Sequence, residues 1–151
     1  MRFISHRGNL NRTNRDLENR PLQIIKVIEM GYDCEIDLWF IDNQLFLGHD
    51  EPQFLIQEEF IQEYANKLWI HCKNIEGLLW CEKSNIKQLN YFWHQEDVVT
   101  LTSLSFIWAY PGFQPIRNSI AVMPEISDES QLETCYGICS DLIELYKQKY
   151  G

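Results

Sequence analysis

Tyr32-Asp33-Cys34-Glu35-Ile36-Asp37-Leu38-Trp39-Phe40, continued by Ile41-Asp42-Asn43-Gln44-Leu45-Phe46-Leu47, is the stretch on which the fold turns. Cys34, Ile36 and Leu38 fall on one face and Glu35, Asp37 and Trp39 on the other, the alternation of a strand whose successive side chains point to opposite sides. Asp42-Asn43 reads as a turn and residues 44–47 as a returning strand, so residues 32–47 contain a hairpin.

Upstream, residues 2–5 form a short apolar strand. Residues 9–19, rich in Asn and Arg, are too polar to pack and read as a surface loop. Residues 21–30 predict a helix, with Pro21 suited to its first turn and Gly31 to the position past its end. Downstream, a helix is expected within residues 56–67, a strand over 68–72, and a helix over 75–84 capped by Asn74. Short strands follow at 91–93, 98–101, 106–109, 120–123 and 136–139, then a last helix at 141–149.

Strand, helix, strand alternation in the first half predicts parallel pairing with crossover helices. The gaps at residues 96–97 and 102–105 are far shorter than the dozen or so residues such a crossover needs, so helices are missing there or strands pair antiparallel. At 151 residues with 45% hydrophobic content the chain fits one domain, residues 1–151. The expected fold is therefore α/β, a compact, reduced TIM-type (β/α) barrel with helices missing in the second half, with an open α/β sheet as the alternative.

Thirteen basic residues against 22 acidic ones give a formal net charge of −9, which disfavours a nucleic-acid partner. No apolar run approaches membrane-spanning length and no secretory signal is evident. Cys34, Cys72, Cys81, Cys135 and Cys139 are an odd set without disulfide or zinc-ribbon spacing, and read as buried, reduced thiols of a cytoplasmic protein. An anionic substrate would need a locally positive site.

Chemistry-bearing residues stand where strands end. Glu35 and Asp37 project to one face, where two buried carboxylates are costly unless a cation joins them, and hard oxygen ligands suit magnesium or calcium. For an isolated Glu-x-Asp, a half-exposed strand with a polar face is the commoner explanation; the residues that accompany this pair raise the functional reading. His6 and His49 each follow a strand, and imidazoles at barrel strand ends can share acid and base duties. Arg7 and Lys73 offer donors for a phosphoryl group.

His6-Arg7-Gly8, Glu18-Asn19, Gly31 through Asp37 and Gly48-His49-Asp50 together resemble the opening half of the glycerophosphodiester phosphodiesterase family, over about the first 50 residues and more loosely to Lys73. The resemblance implies a TIM-type barrel, a divalent metal ion and hydrolysis of a small-molecule phosphodiester. It implies His6 and His49 as the catalytic pair, Arg7 and Lys73 as phosphate contacts, and Glu35, Asp37 and Glu18 as metal-site carboxylates. Asn19 and Asp50 would be supporting residues. His71 stands where the family has a metal-binding carboxylate, which leaves a transition metal open beside magnesium and calcium, and leaves open a degenerate barrel that binds a phosphorylated ligand or a protein partner without turnover. Trp93-His94, Trp108, Tyr110 and Glu125 sit at later strand ends. Missing helices would expose outer strand faces that a homo-oligomer could cover.

Overall fold

The computed structural model describes residues 1–113 and 117–151. Strand β1 (Arg2–His6) leads through the polar loop to helix α1 (Pro21–Glu29), which Pro21 opens and Gly31, at φ +86°, closes. β2 (Asp33–Ile41) and β3 (Gln44–Leu47) form the expected hairpin, and positive φ at both Asp42 and Asn43 gives the type I′ turn that matches strand twist. β4 (Phe54–Ile56), not expected from the sequence, extends the hairpin antiparallel to β3, and α2 (Glu58–Tyr64) follows within the expected stretch.

β5 (Leu68–Cys72) returns parallel to β2, and α3 (Ile75–Lys83) follows, its N-terminus capped by Asn74 Oδ1, which accepts from Gly77 N at 3.0 Å. The remaining elements are β6 (Asn90–Phe92), β7 (Val99–Leu101), β8 (Ile107–Ala109), β9 (Ser119–Val122), 3₁₀ turns at Pro124–Ile126 and Leu132–Thr134, β10 (Gly137–Ser140) and α4 (Ile143–Tyr150).

The reduced (β/α) barrel is not what forms. A ten-stranded mixed sheet curls into a half-barrel carrying four short helices, in the order β4-β3-β2-β1-β10-β9-β8-β7, with β5 beside β2 and β6 beside β5. The reason lies in the second half. β7 and β8 pair antiparallel, and β9 reaches β10, its parallel neighbour, through a loop holding only 3₁₀ turns. Among the described residues no ladder joins β6 to β7. The seam is bridged instead by the loop after β7, where Ser103 N donates to Tyr91 O (2.8 Å) and Ser103 Oγ to Leu89 O (3.0 Å), and by Thr100 Oγ1, which donates to Trp93 O (3.0 Å).

Alternation along β2 sorts its side chains into two layers. Cys34, Ile36 and Leu38 pack beneath the helices with Ile24 and Val27 of α1, Ile61 of α2, Cys81 of α3 and Tyr146 of α4. Burying one such isoleucine or leucine contributes about 1.5–3 kcal/mol. Glu35 and Asp37 face the other way, into the curl. Ile4, Trp69, Phe92, Trp108, Ile120, Val122 and Cys139 form an apolar cluster on that inner side.

β1 lies between β2 and β10, pairing with both in parallel. The C-terminal ends of these strands therefore meet at one rim, which brings His6, Asp37 and Asp141 together from distant parts of the chain.

The polar loop is not a surface loop throughout. Its middle is exposed, but Asn9, Glu18 and Asn19 are buried, because each finds internal partners. None of the helices is long and apolar enough to cross a membrane among the described residues. The five cysteines are all buried, as read from their spacing.

Candidate functional site

Asp37, fully buried midway along β2, is the hub of the site. Asn19 grips it twice, donating from Nδ2 to Oδ2 and accepting from the Asp37 amide at Oδ1, each at 2.9 Å. Asn19 holds φ +58° to do so, a conformation asparagine tolerates better than most residues. Arg7 Nε lies 3.0 Å from Oδ2, and His71 Nδ1 and Lys73 Nζ lie 3.1 and 3.5 Å from Oδ1. The Arg7 Nε contact is an ion pair without hydrogen-bond alignment. Burial opposes ionisation of Asp37, but His71, Arg7 and Lys73 hold its carboxyl well below the usual carboxylate range.

Glu35, two residues back on the same face, is only 3% exposed and far less well partnered. The Arg7 amide reaches its Oε2 at 3.3 Å and His6 Nε2 stands 4.0 Å away; no hydrogen bond reaches its Oε1 among the described residues. Burial first, and then the adjacent Asp37 charge, push its carboxyl above the ordinary range. Two buried carboxylates, one over-supplied with cations and one short of them, invite a further cation.

Glu35, Asp37 and His71 each offer a donor atom within 4.8 Å of the others, which allows all three to share one ion. The 3.1 Å between His71 Nδ1 and Asp37 Oδ1 is about the separation of neighbouring donors around a cation with bonds near 2.1–2.2 Å. The other ring nitrogen, Nε2, lies 3.2 Å from the backbone oxygen of His94, which only accepts. Nε2 therefore carries a proton, and Nδ1 is the atom free to offer a lone pair to a metal, the arrangement typical of metal-binding histidines. The residues present thus fit a divalent cation.

Glu18, expected at the metal site, is not in this cluster. Its Oε2 takes Arg7 Nη1 (3.3 Å) and its Oε1 takes Asn9 Nδ2 (3.0 Å), so it steadies Arg7 from behind.

His6 ends β1 with Nδ1 2.8 Å from Asp141 Oδ1. Asp141 is fixed in turn by Asn9 Nδ2 (2.9 Å) and by the Thr13 hydroxyl, and its amide donates to Glu125 Oε1 at 3.3 Å. Burial would raise the Asp141 carboxyl, yet His6, Thr13 and Asn9 hold it down to about 2. Burial also works to lower the His6 value, and is outweighed by Asp141 and Glu35, which raise it.

His49 sits on the loop after β3, partly exposed, with Nδ1 2.7 Å from Asp50 Oδ1, so Asp50 does contact its neighbour as expected. Burial, followed by the Arg7 charge, lowers the His49 value. His6 and His49 are thus pushed in opposite directions.

His6, Arg7, Glu35, His49, His71 and Lys73 line one side of a single cavity of about 830 Å³; Phe92, Trp93, His94, Trp108 and Tyr110 supply much of the other. Trp108 belongs equally to the inner apolar cluster, and Glu125 does not reach the cavity, being bonded to Ser140 Oγ at 2.6 Å.

Asp141, Asn9 and Thr13 were absent from the sequence-derived site. Asp141 does follow a strand, the same cue that marked His6, but it reads equally as the start of the last helix. His94 was noted only as a strand end, and its backbone oxygen is what sets the His71 tautomer.

Comparison with protein-family models, with curated proteins and with solved structures finds no match to this chain.

Proposed function

We propose that the chain hydrolyses a small phosphodiester, of the glycerophosphodiester kind, at this cavity. The observation that carries the reading is the convergence of His6, His49, Arg7, Lys73 and the buried Glu35 on one cavity, from β1, β2 and the segments that follow β1, β3 and β5, with Asp37 buried beside it in contact with Arg7 and Lys73. Arg7 and Lys73 would offset the phosphoryl charge, and Glu35, Asp37 and His71 would hold a divalent cation. When bound, such an ion supplies Lewis-acid polarisation of a phosphate oxygen.

The acid and base roles follow from the opposed shifts of the two imidazoles. His49, shifted down, is neutral near pH 7 and takes the proton from the attacking hydroxyl. His6, shifted up beside Asp141, retains a proton at Nε2 and gives it to the leaving alkoxide.

A second reading is favoured by one observation: Arg7 and Lys73 already offset the Asp37 charge, as suits a site that binds a phosphorylated ligand without turnover.

The test is hydrolysis of glycerophosphodiesters by the parent, His6→Ala and His49→Ala. The proposal expects losses of about 100-fold or more in either variant with the fold intact. Equal rates in all three would refute it. Stabilisation by glycerol phosphate with no diester turned over would support the binding reading instead.

A further inference from the structure

We propose that Glu35, Asp37 and His71 form a site selective for a first-row transition-metal dication of the manganese-to-zinc series over magnesium and calcium. The inference rests on the reading above only in placing a cation at this cluster, and it concerns which cation the residues choose.

The donor set is two carboxylates and one imidazole. Magnesium takes near-ideal octahedral oxygen coordination and calcium six to eight oxygens, whereas an imidazole nitrogen adds affinity for the later dications. The neighbouring carboxylates do not restore an oxygen-only set. Glu18 is committed to Arg7 and Asn9, and Asp141 to His6, Asn9 and Thr13.

His71 is also held ready. Its ring lies nearly parallel to Phe92, with centroids 5.3 Å apart, and to His94, 4.6 Å apart. Its Nε2 proton is anchored on His94 O, so Nδ1 points toward Asp37 without rearrangement. A ligand fixed in plane and tautomer binds with little reorganisation. Glu35 supplies the complementary feature, a carboxylate 3% exposed, facing the cavity, with one oxygen that nothing engages among the described residues.

The experiment uses the full chain stripped by chelator. Cobalt(II) is titrated by visible absorption, and manganese, zinc, magnesium and calcium are ranked by thermal shift and calorimetry, with no substrate present. Expected are one cobalt ion per chain with an absorption band characteristic of nitrogen ligation, and magnesium and calcium binding weaker than manganese and zinc by at least about 100-fold. His71→Glu should cut that preference by at least about tenfold, and His71→Gln, which adds no buried charge, should change the cobalt band.

Magnesium or calcium binding within a few-fold of manganese and zinc would overturn the proposal. So would a cobalt band unchanged in both His71 variants, or no binding of any of these ions. Selective binding without hydrolysis of any diester would leave this inference standing while removing the proposed function; hydrolysis with magnesium alone would do the reverse.

Discussion

Asp141 Oδ1 stands 2.8 Å from His6 Nδ1, joining residues 135 positions apart in the chain. The contact fixes the ring and leaves Nε2 toward the cavity, so in the proposed reaction Asp141 would act through His6.

Asp141→Asn is expected to lower kcat by about 100-fold or more while Asn9 and Thr13 keep the backbone in place. The pH profile should change in a stated direction. With His6 as the acid, activity falls as pH rises through its elevated value; removing the Asp141 charge lowers that value and moves the basic limb to lower pH. A basic limb that stays where it was would show that Asp141 serves structure alone.

The same pair predicts how stability varies with pH. The Asp141 carboxyl is depressed in the fold, so its contribution is complete above about pH 4 and is lost as pH falls toward 2. The His6 value is raised, so its contribution is complete below about pH 6.5 and is lost as pH rises through the folded value. Urea midpoints between pH 2 and 8 should show both slopes in the parent, and both reduced in Asp141→Asn.

Asn19 both donates to and accepts from Asp37. Asn19→Ala leaves two buried polar groups short of a partner and is expected to cost about 2–4 kcal/mol in chemical denaturation. Asn19→Asp should cost more, since it sets a second carboxylate against a buried one.

Gly48 holds φ +154°, and a Cβ there would meet the Glu51 carbonyl oxygen at 2.0 Å. Its own carbonyl accepts from Trp39 Nε1 at 2.6 Å. Gly48→Ala must therefore shift the loop that carries His49. Turnover should fall by more than the thermal midpoint suggests, and tryptophan fluorescence should report the disturbed Trp39.

Asn74 does two jobs, capping α3 through Gly77 and pairing with both backbone groups of Phe40, accepting at 3.2 Å and donating at 2.9 Å. Asn74→Ala should cost about 1–3 kcal/mol, above the ordinary value of about 1 kcal/mol for a lost cap. Asn74→Ser, which keeps only the cap, should recover part of it.

Where local chemistry decides, the sequence reads well. Pro21 and Gly31 bound α1, Asn74 starts α3, Asp42-Asn43 turns the hairpin, and the alternation at 34–38 separates the helix-facing side chains from Glu35 and Asp37. Where pairing decides, it does not. The short strands of the second half lie within about two residues of their expected positions, and the short gap at 102–105 left antiparallel pairing open, but nothing in Val99–Leu101 itself chooses it over a barrel that has lost helices. Phe54–Ile56 shows no alternation long enough to betray a strand. The polar residues at 9–19 looked surface-bound because their partners, Asp37 and Asp141, lie far off in sequence.

β1 is flanked by β2 on one side and by β10, from the far end of the described chain, on the other. The His6–Asp141 contact therefore depends on the most non-local strand pairing among the described residues, of the kind that closes late in folding because its loop entropy is the largest. During synthesis the buried charges of Glu35 and Asp37 would be assembled well before residue 141 emerged to complete the rim. A chain cut between β9 and β10 should thus be an exchange-labile intermediate, and a peptide supplying β10 and α4 in trans should restore the His6 environment as it docks.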